Sequence, residues 1–121
     1  MLLAEFAKDL VMALKKSPAD AEIKRMVRRI VRKFDPEKII LFGSHARGDA
    51  NVNSDVDLLV IMDVKGSKRR KAVEIGVALH DVDVAKDVIV VRPDEFAWRR
   101  KIIGTIERPA DLEGKVMYAR E

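Results

Sequence analysis

The chain has 121 residues, the length of one folded domain, and its 48% hydrophobic content is enough for one core around a sheet. Lys and Arg number 24 against 20 Asp and Glu, so the net charge of +4 argues only weakly for anionic partners. With no cysteine and two histidines, the composition excludes disulfides and thiolate metal sites and argues against a histidine-rich zinc site. A bound metal is therefore expected to have mainly oxygen ligands.

Features that would divide the chain or direct it to a membrane are missing from the sequence. No stretch approaches the roughly 18 apolar residues of a membrane span, and the N-terminus lacks the pattern of a secretory signal. No internal repeat or low-complexity segment is evident. We therefore expect a cytoplasmic protein with one domain over residues 1–121, made of N-terminal helices over 1–34 and a core over 36–118.

Two helices are predicted before the first strand. Residues 2–16 carry apolar side chains at helical spacing, and a second helix is expected after Ser17 and Pro18, with Ser17 as its N-cap. The apolar face predicted for the second helix comprises Ile23, Met26, Val27, Ile30, Val31 and Phe34. Its other positions hold a run of Lys and Arg between residues 24 and 33. That run is typical of a solvated face, with contact to RNA or DNA as the alternative.

Three strands follow, over residues 38–42, 55–62 and 86–91. A helix beginning at Gly66 and Ser67 lies between the second and third strands. Its predicted sheet-facing residues are Ala72, Val73, Gly76, Val77 and His80. A further helix is predicted over 93–106, and a short extended segment over 116–118. The order is α-α-β-β-α-β-α, which predicts an α/β (α+β) fold with a small mixed β-sheet and helices packed on it.

Two aspartates at the start of the second predicted strand carry the clearest chemical signal. Residues two apart in a strand point to the same face, so Asp55 and Asp57 present their carboxylates together while Val56, Leu58 and Val60 face the other side. Two carboxylates on one face of a buried strand repel each other unless a cation neutralises them. All-oxygen ligands favour magnesium or manganese over zinc.

Gly43 and Ser44 follow the first predicted strand and complement the aspartate pair. A glycine at a strand-to-helix turn lets backbone N–H groups approach a phosphate closely, and the serine hydroxyl adds a donor. Arg47, three residues later, can neutralise phosphate charge. A phosphate cradle beside a metal-binding carboxylate pair is what phosphoryl or nucleotidyl transfer requires.

Gly43-Ser44, ten intervening residues that include Ala46-Arg47-Gly48-Asp49, and then Asp55-x-Asp57 resemble the signature of the minimal nucleotidyltransferases of the DNA polymerase β superfamily. The resemblance covers about residues 20–118. It implies the polymerase β-like nucleotidyltransferase fold and a third carboxylate on a later strand. Asp87 matches that position, and Asp83 in the preceding predicted loop is the alternative.

The resemblance also implies a mechanism. Two magnesium ions, or manganese in their place, would be held by Asp55, Asp57 and Asp87, and the triphosphate by Gly43, Ser44 and Arg47. An acceptor hydroxyl would then receive a nucleoside monophosphate, with AMP from ATP as the leading candidate among nucleoside triphosphates.

The resemblance further implies a partner protein, because minimal nucleotidyltransferases are commonly paired with small helical HEPN-type toxins. The chain would act as an antitoxin that attaches AMP to the toxin. A non-catalytic antitoxin that works by contact, modification of a small molecule, direct nucleic-acid binding and assembly as a homodimer remain open from the sequence.

Overall fold

The computed structural model describes residues 17–121, so the helix predicted over residues 2–16 lies outside the described part. The elements in chain order are α1 (Asp20–Phe34), β1 (Lys38–Phe42), α2 (Ser44–Arg47), β2 (Val56–Ile61), α3 (Lys68–Ala78), β3 (Lys86–Val91), α4 (Pro93–Arg99), α5 (Glu107–Glu113) and β4 (Lys115–Ala119). The predicted α/β (α+β) class, with a small mixed sheet covered by helices, is confirmed.

The sheet has four strands in the order β3-β2-β1-β4. β1 runs antiparallel to both β2 and β4, whereas β2 and β3 are parallel. The end of β1 and the starts of β2 and β3 therefore meet at one edge of the sheet. In register, Phe42 lies opposite Asp57, and Asp57 lies beside Asp87. This topology places the predicted phosphate-binding turn and the predicted carboxylates together.

Both faces of the sheet are covered, because its strands alternate apolar side chains between two cores. On one face α1 and α3 pack against the strands, with Ile23, Met26, Ile30, Ile75, Leu79, Ile39, Leu41, Val56, Leu58 and Val60 among the buried residues. On the other face α4 and α5 pack, with Phe96, Ala110, Ile40, Phe42, Leu59, Ile61 and Val91 buried. Asp57 and Asp87 lie on the second face, because residues two apart in a strand share a face. Leu59, two residues after Asp57, is buried in that core, and Ile89, two residues after Asp87, packs against it.

The apolar face predicted for α1 is confirmed in its burial. Ile23, Met26, Val27 and Ile30 are buried, and Val31 and Phe34 are partly buried against the same core. The predicted N-cap is wrong: the helix begins at Asp20, and its N-cap residue is Ala19. Ser17 instead accepts a hydrogen bond from the Ala19 N–H at 3.0 Å, which stabilises the turn before the helix.

The buried face predicted for α3 is confirmed at Ala72, which packs partly buried against the core, and is wrong at its valines and at His80. Ile75 and Leu79 are buried, whereas Val73 and Val77 are 59% and 65% exposed. His80 follows the end of the helix and is exposed, so it does not face the sheet. The i, i+4 pair of large side chains, Ile75 and Leu79, determines the rotation of the helix because it buries more apolar surface than the two valines.

The helix predicted over 93–106 ends at Arg99. The Thr105 hydroxyl donates to the carbonyls of Arg99 and Ile102, and Gly104 has φ +96°, so the chain turns and starts the unpredicted α5. The segment predicted over 116–118 is β4, which pairs with β1. Among the helices formed by residues 17–121, none is both long enough and apolar enough to cross a bilayer.

Candidate active site

Gly43 joins β1 to the short helix α2 and touches the carboxylate of Asp57. Its backbone has φ +75° and ψ −156°, a conformation that side-chain-bearing residues rarely adopt. A Cβ atom built on Gly43 would lie 2.4 Å from Asp57 Oδ2, far inside van der Waals contact. Glycine is thus required here for two reasons: the turn needs a positive φ, and the neighbouring carboxylate occupies the space of a side chain.

Three carboxylates lie around the start of β2. Asp57 is its second residue, Asp87 is its cross-strand neighbour on β3, and Asp55 lies in the loop directly before the strand. Partial burial, followed by the negative charges of Asp87 and Asp55, raises the pKa of Asp57, while His45 and Arg47 act in the opposite direction. The folded protein therefore places a partly buried carboxylate in a negative field. Such a cluster is a favourable place for a cation.

The residues at this edge fit a hard divalent cation by their chemistry, since all three offer carboxylate oxygens. Within residues 17–121, no three His, Cys, Asp or Glu side chains are already converged as a set of metal ligands.

The alternative third carboxylate, Asp83, is placed differently. It is exposed in the loop before β3, where it lines a small cavity with His45, Ser54 and Pro18. It is not among the groups that shift the pKa of Asp57. The geometry therefore favours Asp87, which is next to Asp57 in the sheet, as the third carboxylate of the site.

Ser44 and Arg47 are the first and last residues of α2, the single helical turn that follows Gly43. The Gly43 carbonyl accepts hydrogen bonds from the N–H groups of Ala46 and Arg47 at 3.1 and 3.0 Å. Arg47 is 46% exposed in its side chain and has only long contacts to carboxylates, 3.4 Å to Asp49 and 3.8 Å to Glu113. Exposed ion pairs of this kind are weak, so Arg47 can turn to an incoming phosphate at little cost.

His45, which the sequence favours as a capping or solvated loop residue, is instead buried beside the candidate site. It is the second residue of α2, directly after Ser44, and only 2% of its surface is exposed. Its Nδ1 is 2.5 Å from the Ser17 hydroxyl and its Nε2 is 3.0 Å from the Ser54 carbonyl oxygen. No spacing rule links residues 17, 45 and 54, because the contact depends on how α1 packs beside the turn.

Comparison with known proteins identifies the family in which this fold occurs. The family model described as "Nucleotidyltransferase domain" matches residues 23–111. The chain belongs to this family, as the resemblance in its motifs predicted.

Individual relatives agree with this assignment. A putative protein adenylyltransferase of Methanocaldococcus jannaschii is 31% identical over 103 residues, which span 79% of this chain and 94% of that protein. A crystal structure of a putative nucleotidyltransferase from Sulfolobus solfataricus has a TM-score of 0.59 at 22% identity, covering 83% of this chain and 79% of the other. A toxin–antitoxin structure with AMP-PNP has a TM-score of 0.51 at 21% identity, covering 81% and 74%. The two structures support the fold.

Proposed function

We propose that the chain transfers AMP from ATP to a hydroxyl group of an acceptor protein. The carrying observation is the contact between the Gly43 turn and the Asp57 carboxylate at the sheet edge that also holds Asp87. A phosphate held at that turn lies directly beside the carboxylates, as nucleotidyl transfer requires. ATP is the proposed donor because the 31% identical relative bears the name of a protein adenylyltransferase.

In this proposal the carboxylates and the turn have separate tasks. Asp55, Asp57 and Asp87 would hold two magnesium ions, with manganese as a substitute, and the chemistry supplied there is neutralisation of phosphate charge and a lower pKa of the acceptor hydroxyl. Ser44, the Gly43 backbone and Arg47 bind the triphosphate. The acceptor oxygen then bonds to the α-phosphorus, the bond to pyrophosphate breaks so that pyrophosphate leaves, and the hydroxyl proton passes to solvent water. Orientation of the reactants by these residues contributes much of the rate.

The proposed acceptor is a small helical toxin of the HEPN type, which the chain would silence as an antitoxin. Support comes from the toxin–antitoxin structure with AMP-PNP that shares the fold. The described part of the chain also leaves large apolar side chains on its surface beside the second core. Trp98 is 56% exposed, Ile103 85% and Leu112 66%. Apolar side chains that together form one exposed patch are typical of surfaces that bind other proteins.

The proposal is tested by incubating the purified chain with ATP labelled at the α-phosphate, magnesium and the protein encoded by the adjacent gene. We expect that protein to gain label and the mass of one AMP. An Asp55→Asn, Asp57→Asn double variant should bind the same partner but transfer no label. Equal protection from the toxin by this variant would favour the non-catalytic antitoxin, and label on an added aminoglycoside would favour small-molecule modification.

Nucleic-acid binding is a second candidate, favoured by the distribution of charge. α1 carries six Lys or Arg and two acidic residues, so it holds a net charge equal to the +4 of the whole chain. The first turn of the neighbouring α3 adds four more cations. Within residues 17–121, no carboxylate lies within 4 Å of Arg28, Arg32, Lys33, Arg69 or Arg70. An open groove of about 640 Å³ separates the ends of the two helices.

The second candidate predicts salt-dependent binding of a short RNA duplex. Changing Arg28, Arg32 and Lys33 to glutamine should weaken binding and lower the slope of log affinity against log salt by about 2 to 3, roughly one for each phosphate that these side chains neutralise. Fluorescence anisotropy measures both quantities. The control changes Arg100, Lys101 and Arg108 to glutamine, which removes the same charge elsewhere. Equal effects of the two triple variants would contradict a specific surface on α1.

A further inference from the structure

The buried histidine lies in a chain of hydrogen bonds that connects three parts of the protein. The Ala19 N–H donates to the Ser17 hydroxyl oxygen at 3.0 Å, and that oxygen is 2.5 Å from His45 Nδ1. On the other side of the ring, Nε2 is 3.0 Å from the Ser54 carbonyl oxygen. Because a carbonyl can only accept, Nε2 carries a hydrogen and donates it. The imidazole is thus fixed at both ends.

The ring connects the two halves of the candidate site. His45 directly follows Ser44 of the phosphate-binding turn, and the Ser54 carbonyl belongs to the peptide bond that leads to Asp55. Residues 49–55 between them contain neither helix nor strand. In that segment, Ser54 accepts a hydrogen bond on its hydroxyl from the Asn51 N–H and donates its own N–H to the Asn51 carbonyl. The bond from His45 ties this loop to α2 and, through Ser17, to the start of α1.

We propose that His45 is a positioning residue of the nucleotidyltransferase site, which holds the peptide before Asp55 and thereby sets the Asp55 carboxylate relative to Asp57 and Ser44. The inference rests on the proposed function. The hydrogen bonds of the ring go to Ser17 and Ser54 and not to the carboxylates, so it acts through Ser54. Groups that orient metal-binding side chains in this way typically affect metal affinity or activity by about 10- to 100-fold.

A burial role alone would not require the polar ends of the ring. An apolar side chain of similar size would fill the space between α1 and the loop, but it would leave the Ser54 carbonyl without the donor that His45 provides. Without that bond the loop can move, and Asp55 can leave its place. A glutamine keeps one donor and one acceptor on a planar group, so it preserves the connection that a phenylalanine removes.

The test compares His45→Phe, His45→Gln and Ser17→Ala by titrating Mn²⁺, followed by electron paramagnetic resonance, and by the rate of label transfer from ATP. We expect His45→Phe to weaken Mn²⁺ binding by about 10-fold and to slow transfer by about 10- to 100-fold. His45→Gln should remain within about 3-fold of the unchanged protein, and Ser17→Ala should fall between the two because it frees one end of the ring.

A stability-matched control separates positioning from folding. Val27→Ala removes buried apolar volume from α1 away from the ring, so it should lower the melting temperature while leaving Mn²⁺ affinity unchanged. A folded His45→Phe protein that binds Mn²⁺ as tightly as the unchanged chain would overturn the inference, as would an unchanged chain that binds no Mn²⁺. Weaker Mn²⁺ binding by His45→Phe in a chain that transfers no label would support the role of His45 and count against the proposed function instead.

Discussion

Replacing Asp57 with asparagine is expected to abolish transfer while making the folded protein more stable. The carboxylate is beside Asp87 in the sheet and against Gly43, so its removal takes away the central ligand of the proposed site. We expect the transfer rate to fall by at least about a thousand-fold, or roughly 4 kcal/mol of transition-state stabilisation. Label transfer from ATP under saturating magnesium measures this decrease.

The gain in stability has a separate cause. Burial and the charges of Asp87 and Asp55 raise the pKa of Asp57, which means that its ionised form is disfavoured in the folded state at neutral pH. Asparagine carries no charge, so without divalent cations the variant should melt at a higher temperature than the unchanged protein. Added magnesium should stabilise the unchanged protein and have little effect on the variant. A lower melting temperature in the variant would show that the carboxylate supports the fold instead.

Asp83→Asn is the matched control for this experiment. Asp83 is an exposed aspartate in the loop before β3, and the same chemical change there should leave transfer within about 2-fold of the unchanged rate. Asp87→Asn should resemble Asp57→Asn. The reverse result, with Asp83 essential and Asp87 dispensable, would identify the other carboxylate as the third member of the site.

Replacing Gly43 with alanine is expected to reduce transfer by at least about 100-fold, because displacement of reacting groups by about 1 Å has effects of that size. The new Cβ would lie 2.4 Å from Asp57 Oδ2, so either the carboxylate or the turn must move. The backbone of Gly43, with φ +75° and ψ −156°, lies in a region almost exclusive to glycine, so a side chain there adds strain of up to about 3 kcal/mol. Transfer kinetics and thermal unfolding of the same preparation measure both effects.

Gly48 provides the control for the strain. It ends α2 with φ +88°, and a Cβ there would meet nothing within 4 Å among the described residues. Gly48→Ala should therefore lose about 1–2 kcal/mol of stability, less than Gly43→Ala, because ψ 11° places Gly48 in the ordinary left-handed region, and it should keep most of its transfer activity. If both variants lost activity equally, the turn's backbone conformation, and not its contact with Asp57, would be the important property of Gly43.

Much of the sheet could be predicted from sequence because its strands are short apolar runs with clear ends. β1 and β3 have the predicted bounds, and β2 differs from its prediction by one residue at each end. The spacing of two between Asp55 and Asp57 predicts a common face without knowledge of the sheet order, whereas in the structure Asp55 lies in the loop before β2. What the sequence could not provide was the pairing of β2 with β3, which makes Asp87 the neighbour of Asp57.

The features that were missed depend on contacts between distant segments. α5 begins with Glu107, whose side chain is buried because Arg99 of α4 bonds to it at 2.5 Å, and no local pattern indicates a buried glutamate. The predicted buried face of α3 was wrong at Val73 and Val77, because an exposed valine cannot be told from a buried one by its side chain alone. The burial of His45 could not be predicted because its partners, Ser17 and Ser54, are distant in sequence and meet it only through the packing of α1.

The most direct measurement compares ATP labelled at the α-phosphate with ATP labelled at the γ-phosphate, using the protein encoded by the adjacent gene as acceptor. Nucleotidyl transfer predicts that the acceptor takes up the α label alone and that one pyrophosphate is released for each acceptor modified. Asp57→Asn should eliminate both products. Transfer of the γ label, or full protection from the toxin with neither label transferred, would contradict the assignment of this site to adenylyl transfer.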